Sequence, residues 1–338
     1  MRIDANTLIR VAEDLVDRRR KETSTILAVY LHGSVNEPVD HLLGESGDLD
    51  LVFVHEYEVG AAREFIRLTD DVTIDIANHT RVSYRIPREL RTNPWLGAAV
   101  YGFRVLYDPR HFLDFVQAGL RDQYHRPSNV LARARAFAGD ARQRWLALLT
   151  AGDDEPETAL EFLAAVSGTA NALASLAGNP LPERRLLTRF FDRAEELGQP
   201  ELYLDLIGLL GAGETDADDL RNWVAAWEAA FTAAAGTETA PSEWGLHPDR
   251  RRYYEGAFTD QLTSDRPSDV LWPLLLTWTR AGVVLPPGHA SRTAWETAAR
   301  QIGLLGPDRE KRLEALDAYL DRVEILLDGW GRAQGVDL

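Results

Sequence analysis

LHGSVNEPVDHLLGESGDLDLVFV, residues 31–54, runs from the end of one expected β-strand through the whole of the next. The residues leading into it, Thr25-Ile26-Leu27-Ala28-Val29-Tyr30-Leu31, are short, apolar and β-branched, which predicts a buried strand. His32-Gly33-Ser34 ends it. A polar stretch with Pro38 and Gly44 follows, and Asp48-Leu49-Asp50-Leu51-Val52-Phe53-Val54 predicts the second strand. Strand side chains alternate between faces, so Asp48 and Asp50 share one face while Leu49 and Leu51 turn to the core. Two carboxylates on one strand face repel each other unless a positive charge lies between them. A hard divalent cation is the usual solution, and an oxygen-only donor set selects Mg²⁺ or Mn²⁺. Asp75 stands in Val72-Thr73-Ile74-Asp75-Ile76-Ala77, a third apolar strand, and joins the other acids if that strand lies beside theirs. At Gly33-Ser34 the missing side chain lets a phosphate approach the backbone, and the Ser34 hydroxyl adds a donor. A phosphate cradle beside a metal-binding acidic pair is the equipment for transferring a nucleotidyl group. A further carboxylate can take the proton of the attacking hydroxyl.

Working outward, Leu8, Val11, Ala12 and Leu15 recur at helical spacing, and predict a helix from about Thr7 to Lys21. A second helix is expected from Gly60 to Leu68, and a short strand at Arg104-Val105-Leu106-Tyr107, stopped by Asp108-Pro109. Strands alternating with helices predict an α/β unit. After residue 127 strand alternation ceases. Long alanine-, leucine- and arginine-rich patterns such as Val130 to Leu149 follow, broken at Gly152-Asp153-Asp154, Gly178-Asn179-Pro180, Gly211 to Gly213, Gly236 to Pro241, Pro286-Pro287-Gly288 and Gly306-Pro307. The expected organisation is an α/β domain over residues 1–125 and an all-helical domain over 126–338.

The length, 338 residues, suits two domains. The formal net charge of −16 is unevenly spread: 1–125 holds 15 bases and 20 acids, while 126–338 holds 22 and 33. Such a field repels nucleic acid and anionic membranes and attracts cations. There is no cysteine, so disulfides, thiolate metal sites and cysteine nucleophiles are excluded. The charged N-terminal stretch has no signal-peptide core, and no run approaches 18 apolar residues. A cytoplasmic protein is expected. The eight histidines form no HxxxH pair, no GxxxxGK[ST] loop occurs, and no Gly-x-Ser-x-Gly elbow occurs. His32 reads either as a substrate contact or as packing at the strand end. Arg18-Arg19-Arg20 and Arg250-Arg251-Arg252 read as polyphosphate grips or as solvated helix ends, with Tyr253-Tyr254 adding aromatic faces to the second. Trp223 and Trp227, at helical spacing, read as core.

Gly33-Ser34, thirteen residues, Asp48-Leu49-Asp50-Leu51 and a later acidic strand carrying Asp75 together resemble the DNA polymerase β-like nucleotidyltransferase superfamily. The tract Ala99 to Asp108 looks like the closing strand of these minimal domains. The resemblance covers roughly residues 24–110. It implies an α/β (α+β) nucleotidyltransferase domain with a mixed sheet, followed here by an all-α domain. In that architecture the chain is similar to bacterial aminoglycoside adenylyltransferases of the streptomycin/spectinomycin type, which confer antibiotic resistance. The implied roles are metal binding and catalysis for Asp48, Asp50 and Asp75, and triphosphate binding for Gly33 and Ser34. Asp75 is metal ligand, general base or both. The implied cofactor is Mg²⁺, with ATP as co-substrate, and the implied partners are a nucleoside triphosphate and a small cationic acceptor, without nucleic acid or membrane. Protein adenylylation and an inactive nucleotide-binding module are the alternatives. Taken singly the elements have plainer readings: Gly33-Ser34 a strand-ending turn, Asp48 and Asp50 solvated acids, Asp75 an ion-paired acid.

Overall fold

Apolar runs on either side of residues 33–46 form two antiparallel neighbours, β1 (Ile26–His32) and β2 (Gly47–His55), with Leu31 opposite Leu51 and His32 opposite Asp50. The structure is a computed structural model and describes residues 5–33, 35, 46–152, 155–235, 237, 240–241 and 244–336. Three more strands complete the sheet: β3 (Arg63–Arg67), β4 (Val72–Thr80) and β5 (Arg104–Tyr107), in the order β3-β4-β2-β1-β5. β2 and β4 run parallel, and every other pair is antiparallel, so the sheet is mixed.

The helix expected from Gly60 to Leu68 is not formed. Ala61, Arg63, Glu64 and Leu68 favour helix intrinsically, but residues 63–67 pair antiparallel with β4, with Phe65 opposite Asp75. The turn decides the outcome. Thr69 Oγ1 accepts from the N–H groups of Asp71 and Val72, at 3.2 and 3.1 Å, and folds the chain back as a hairpin. The tract Ala99 to Asp108 is a strand only over β5. Its first residues finish a helix.

Four helices belong with the sheet: α1 (Ala5–Glu22), α2 (Pro87–Thr92), α3 (Leu96–Gly102) and α4 (Phe112–Tyr124). α1 sets Leu8, Ile9, Leu15 and Val16 against Leu31, Leu49, Leu51, Ile74 and Ile76 on one sheet face. Each such side chain contributes about 1.5–3 kcal/mol on burial. The other face carries Ala28, Tyr30, Val52 and Val54, and packs on Leu90, Val100, Leu113 and Leu120. Asp108 closes the entry to α4, its carboxylate accepting from the N–H groups of Phe112 (2.8 Å) and Leu113 (2.7 Å).

The remaining helices are α5 (Pro127–Leu148), α6 (Pro156–Ala177), α7 (Leu186–Glu196), α8 (Glu201–Leu209), α9 (Ala217–Ala235), α10 (Arg251–Leu262), α11 (Leu271–Val284), α12 (Ala290–Gln301) and α13 (Arg309–Ala333). Among the described residues no strand follows β5. Trp223 and Trp227 are core, and the indole N–H groups of Trp227 and Trp295 donate to Thr277 (2.8 Å) and Thr279 (3.0 Å). Arg142 on α5 pairs with Asp317, Asp321 and Glu324 on α13, at 2.5, 2.6 and 2.9 Å. Among the described helices only α6 is long and apolar enough to cross a membrane, and most of that stretch is buried in protein.

The chain divides into two compact units. The first comprises Met1–Arg126 together with Asp249–Ala257, and the second comprises Pro127–Pro248 with Phe258–Leu338. The segment 249–257, read from the sequence as part of the helical half, thus belongs with the sheet.

Candidate metal centre

Strand pairing assembles the acids. Asp50 on β2 lies directly beside Asp75 on the parallel strand β4, and Asp48 lies beside Thr73. Side chains at paired positions share a face, so Asp48, Asp50 and Asp75 all project opposite α1, where Leu49, Leu51, Ile74 and Ile76 fill the core. Asp48 and Asp75 are buried, Asp50 is half-buried, and one ligand oxygen from each lies within 4.8 Å of the others. A metal ion could bridge that spacing.

Three carboxylates so close are costly. At an effective dielectric of about 20, each ionised pair at this separation repels by about 3–4 kcal/mol. The effect shows on Asp50, whose pKa is pushed well above the usual carboxylate range by burial and then by the charges of Asp48 and Asp75. Two guanidiniums partly offset the repulsion. Arg63, on β3, donates from Nε to Asp75 Oδ1 at 2.8 Å and from Nη2 to Asp75 Oδ2 at 2.5 Å. Arg250 donates from Nη1 to Asp75 Oδ2 at 2.9 Å, and its Nη2 lies 3.5 Å from Asp48 Oδ2. Asp75 therefore accepts three N–H donors, most of the roughly four that a carboxylate can take.

Gly33 lies against the same acids. Its φ is +81°, in the left-handed region, and a Cβ built there would collide with Asp50 Oδ2. The turn backbone and the Asp50 carboxylate are thus in direct juxtaposition, which only glycine permits. Ser34, its partner in the expected phosphate cradle, lies outside the described residues. So do Asp153 and Asp154, two of the acids at the expected break after α5.

His32, opposite Asp50, is half-buried with its ring 6.0 Å from that of Tyr30. Burial pulls its pKa down to about 4, against the opposing charges of Asp75 and Asp48, so the imidazole is neutral at pH 7. Behind it, Tyr30 OH meets Tyr84 OH at 2.8 Å, and Tyr84 OH meets His79 Nδ1 at 2.6 Å. This hydrogen-bonded line lies on the acid-bearing face.

Sequence reasoning missed Arg63 and gave Arg250 a different role. Arg63 was hidden by the expected helix. In the hairpin it shares a sheet face with Phe65 and Asp75, and alternation along β3 would have found it. Arg250 is neither a solvated helix end nor free. It is 5% exposed, and Phe65, Tyr253 and Tyr254 ring its guanidinium at 5.0, 4.1 and 5.6 Å to their centroids. Nothing local separates it from Arg251 and Arg252, which pair with Glu255 on α10.

The sequence matches no protein-family model and no curated relative. The chemistry of the site therefore rests on its own residues: three convergent carboxylates and an exposed glycine packed against one of them.

Proposed function

We propose that this chain is a nucleotidyltransferase that moves AMP from ATP to a hydroxyl of a small cationic acceptor, most simply an aminoglycoside. The observation that carries the proposal is the convergence of Asp48, Asp50 and Asp75, with oxygens within 4.8 Å, beside the positive-φ turn at Gly33. A mixed sheet with the acids on neighbouring parallel strands agrees with a nucleotidyltransferase fold.

Oxygen-only donors fit Mg²⁺, and Asp48 and Asp50 would hold it. When bound, the ion supplies neutralising charge to phosphoryl oxygens and orients them. Gly33, exposed at the end of β1, contacts the triphosphate. The acceptor oxygen forms a bond to the α-phosphorus, the bond from that phosphorus to the β-bridging oxygen breaks, and pyrophosphate leaves. The acceptor's proton goes to a carboxylate. Asp75 serves as that base through its remaining lone pair, or through one freed when an arginine withdraws. The surplus of acids over 126–338 draws a cationic acceptor at long range, an attraction that weakens with added salt.

The test is incubation with labelled ATP, Mg²⁺ and a panel of aminoglycosides, with mass spectrometry on small molecules and proteins together. An adenylylated aminoglycoside and pyrophosphate are expected, and a folded Asp50→Asn variant should yield neither. Label on a tyrosine or serine of a co-purifying protein would transfer the assignment to protein modification. Nucleotide binding without transfer to anything would make the chain a binding module.

A further inference from the structure

We infer that Arg250 is a built-in cation that occupies the acidic site and must withdraw for a divalent ion to bind there. The inference rests on the metal-binding part of the function proposed above.

Its guanidinium spans Asp48 and Asp75, two of the three carboxylates whose oxygens converge. It is nonetheless poorly satisfied. Of its five N–H donors, only Nη1 makes a hydrogen bond within ordinary distance among the described residues, to Asp75 Oδ2 at 2.9 Å. The contact to Asp48 is long, at 3.5 Å, and Nε is buried with no hydrogen-bond partner among the described residues. A resident cation held mainly by charge and aromatic faces is a replaceable one. Arg63 is different, because it grips Asp75 through two parallel hydrogen bonds and is a third exposed.

Charge points the same way. With all three carboxylates ionised, the state that a divalent ion favours, they exceed the two guanidiniums by one negative charge. Exchanging Arg250 for a divalent ion brings the cluster to neutrality, whereas adding the ion with Arg250 still in place leaves the cluster positive, which a buried site resists. Arg250 immediately precedes α10, so its withdrawal would have to involve the start of that helix. The arginine lies at the start of 249–257, the piece of the first unit that comes from far along the chain, tied to β2 by a hydrogen bond from Ser46 Oγ to Tyr253 O at 3.2 Å. Bare metal would thus bind the wild type only in competition with the arginine, and more weakly than a site without it.

The experiment is Mn²⁺ binding, followed by electron paramagnetic resonance, to the full chain and to its Arg250→Gln, Arg250→Lys and Asp48→Asn/Asp50→Asn variants. Circular dichroism checks folding. Arg250→Gln should bind Mn²⁺ about tenfold or more tightly than the wild type, because a buried positive charge has gone. Arg250→Lys, which keeps the charge, should stay near wild type. In the wild type, saturating Mn²⁺ should raise amide hydrogen exchange across 249–257, a readout independent of whether the variants fold. Equal or weaker Mn²⁺ binding by folded Arg250→Gln, or Mn²⁺ bound to the wild type with exchange at 249–257 unchanged, overturns the inference. Absence of any Mn²⁺ binding that depends on Asp48 and Asp50, in wild type and Arg250→Gln alike, overturns the metal reading beneath it.

Discussion

At the scale of single residues, Asp50 is where stability and chemistry pull apart. Burial and the charges of Asp48 and Asp75 disfavour its ionised form, so without a metal ion the protein must either hold a destabilising charge or protonate Asp50. Asp50→Asn should therefore raise the thermal midpoint in EDTA and abolish the further rise that Mn²⁺ gives the wild type. A lower midpoint in EDTA would mean that Arg63 and Arg250 already over-compensate the acids. Gly33 tests the same contact from the other side. Gly33→Ala must hold a left-handed φ, at a cost of about 1–2 kcal/mol, and push its methyl into Asp50 Oδ2. Denaturant melts should register that cost, and Mn²⁺ affinity should fall because the carboxylate is displaced. Unchanged metal binding in a folded variant would separate the turn from the acids.

At the scale of elements, β3 is fastened in two directions by Glu64. It accepts from Arg19 on α1 at 2.8 Å and from Asn78 Nδ2 on β4 at 3.1 Å. Burial alone would raise its pKa, but the bonds from Arg19 and Asn78 outweigh burial and hold it below the ordinary 4.5. A depressed carboxylate contributes stability that is fully present above its unfolded value and lost as pH falls through the folded one. Glu64→Gln should accordingly cost about 0.5–1 kcal/mol at neutral pH, as expected of a part-exposed pair. As pH falls through the depressed folded value, its urea midpoint should converge on that of the wild type. A gap that persists in acid would assign the cost to packing instead. The same strand marks where sequence reading reached its limit. β1, β2, β4 and β5 were legible because their own apolar residues alternate or run unbroken, and alternation alone put Asp48 and Asp50 on one face. β3 was not, since its residues favour helix and only pairing with β4 makes them a strand. The hairpin signal lay in Thr69-Asp70-Asp71, where the Thr69 hydroxyl bonds the turn backbone. Arg250 lay further out of reach, because 175 residues separate it from Asp75 and no periodicity links the two.

At the scale of the whole molecule, the first unit is discontinuous, and its missing piece carries charge. Residues 1–126 hold the three acids and Arg63, whereas Arg250, Tyr253 and Tyr254 arrive on 249–257. A fragment ending at Arg126 would keep every strand of the sheet and lose one of the two cations that offset the acids. Removing one partner of a buried ion pair typically costs about 3–5 kcal/mol, a large share of the roughly 5–15 kcal/mol that stabilises a domain. Loss of the bond from Ser46 to Tyr253 adds to this, at the start of β2. The fragment should therefore expose the amides of β2 and β4 to hydrogen exchange far faster than the full chain does. Mn²⁺ should restore more of that protection in the fragment than it adds to the full chain, because the ion supplies the charge that Arg250 no longer brings. If exchange in β2 and β4 matches the full chain without metal, the acids are neutralised well enough by Arg63 and by protonation of Asp50. If exchange is fast and Mn²⁺ does not slow it, the loss lies in the packing of Tyr253 and Tyr254, and the charge of Arg250 is incidental to the stability of the sheet.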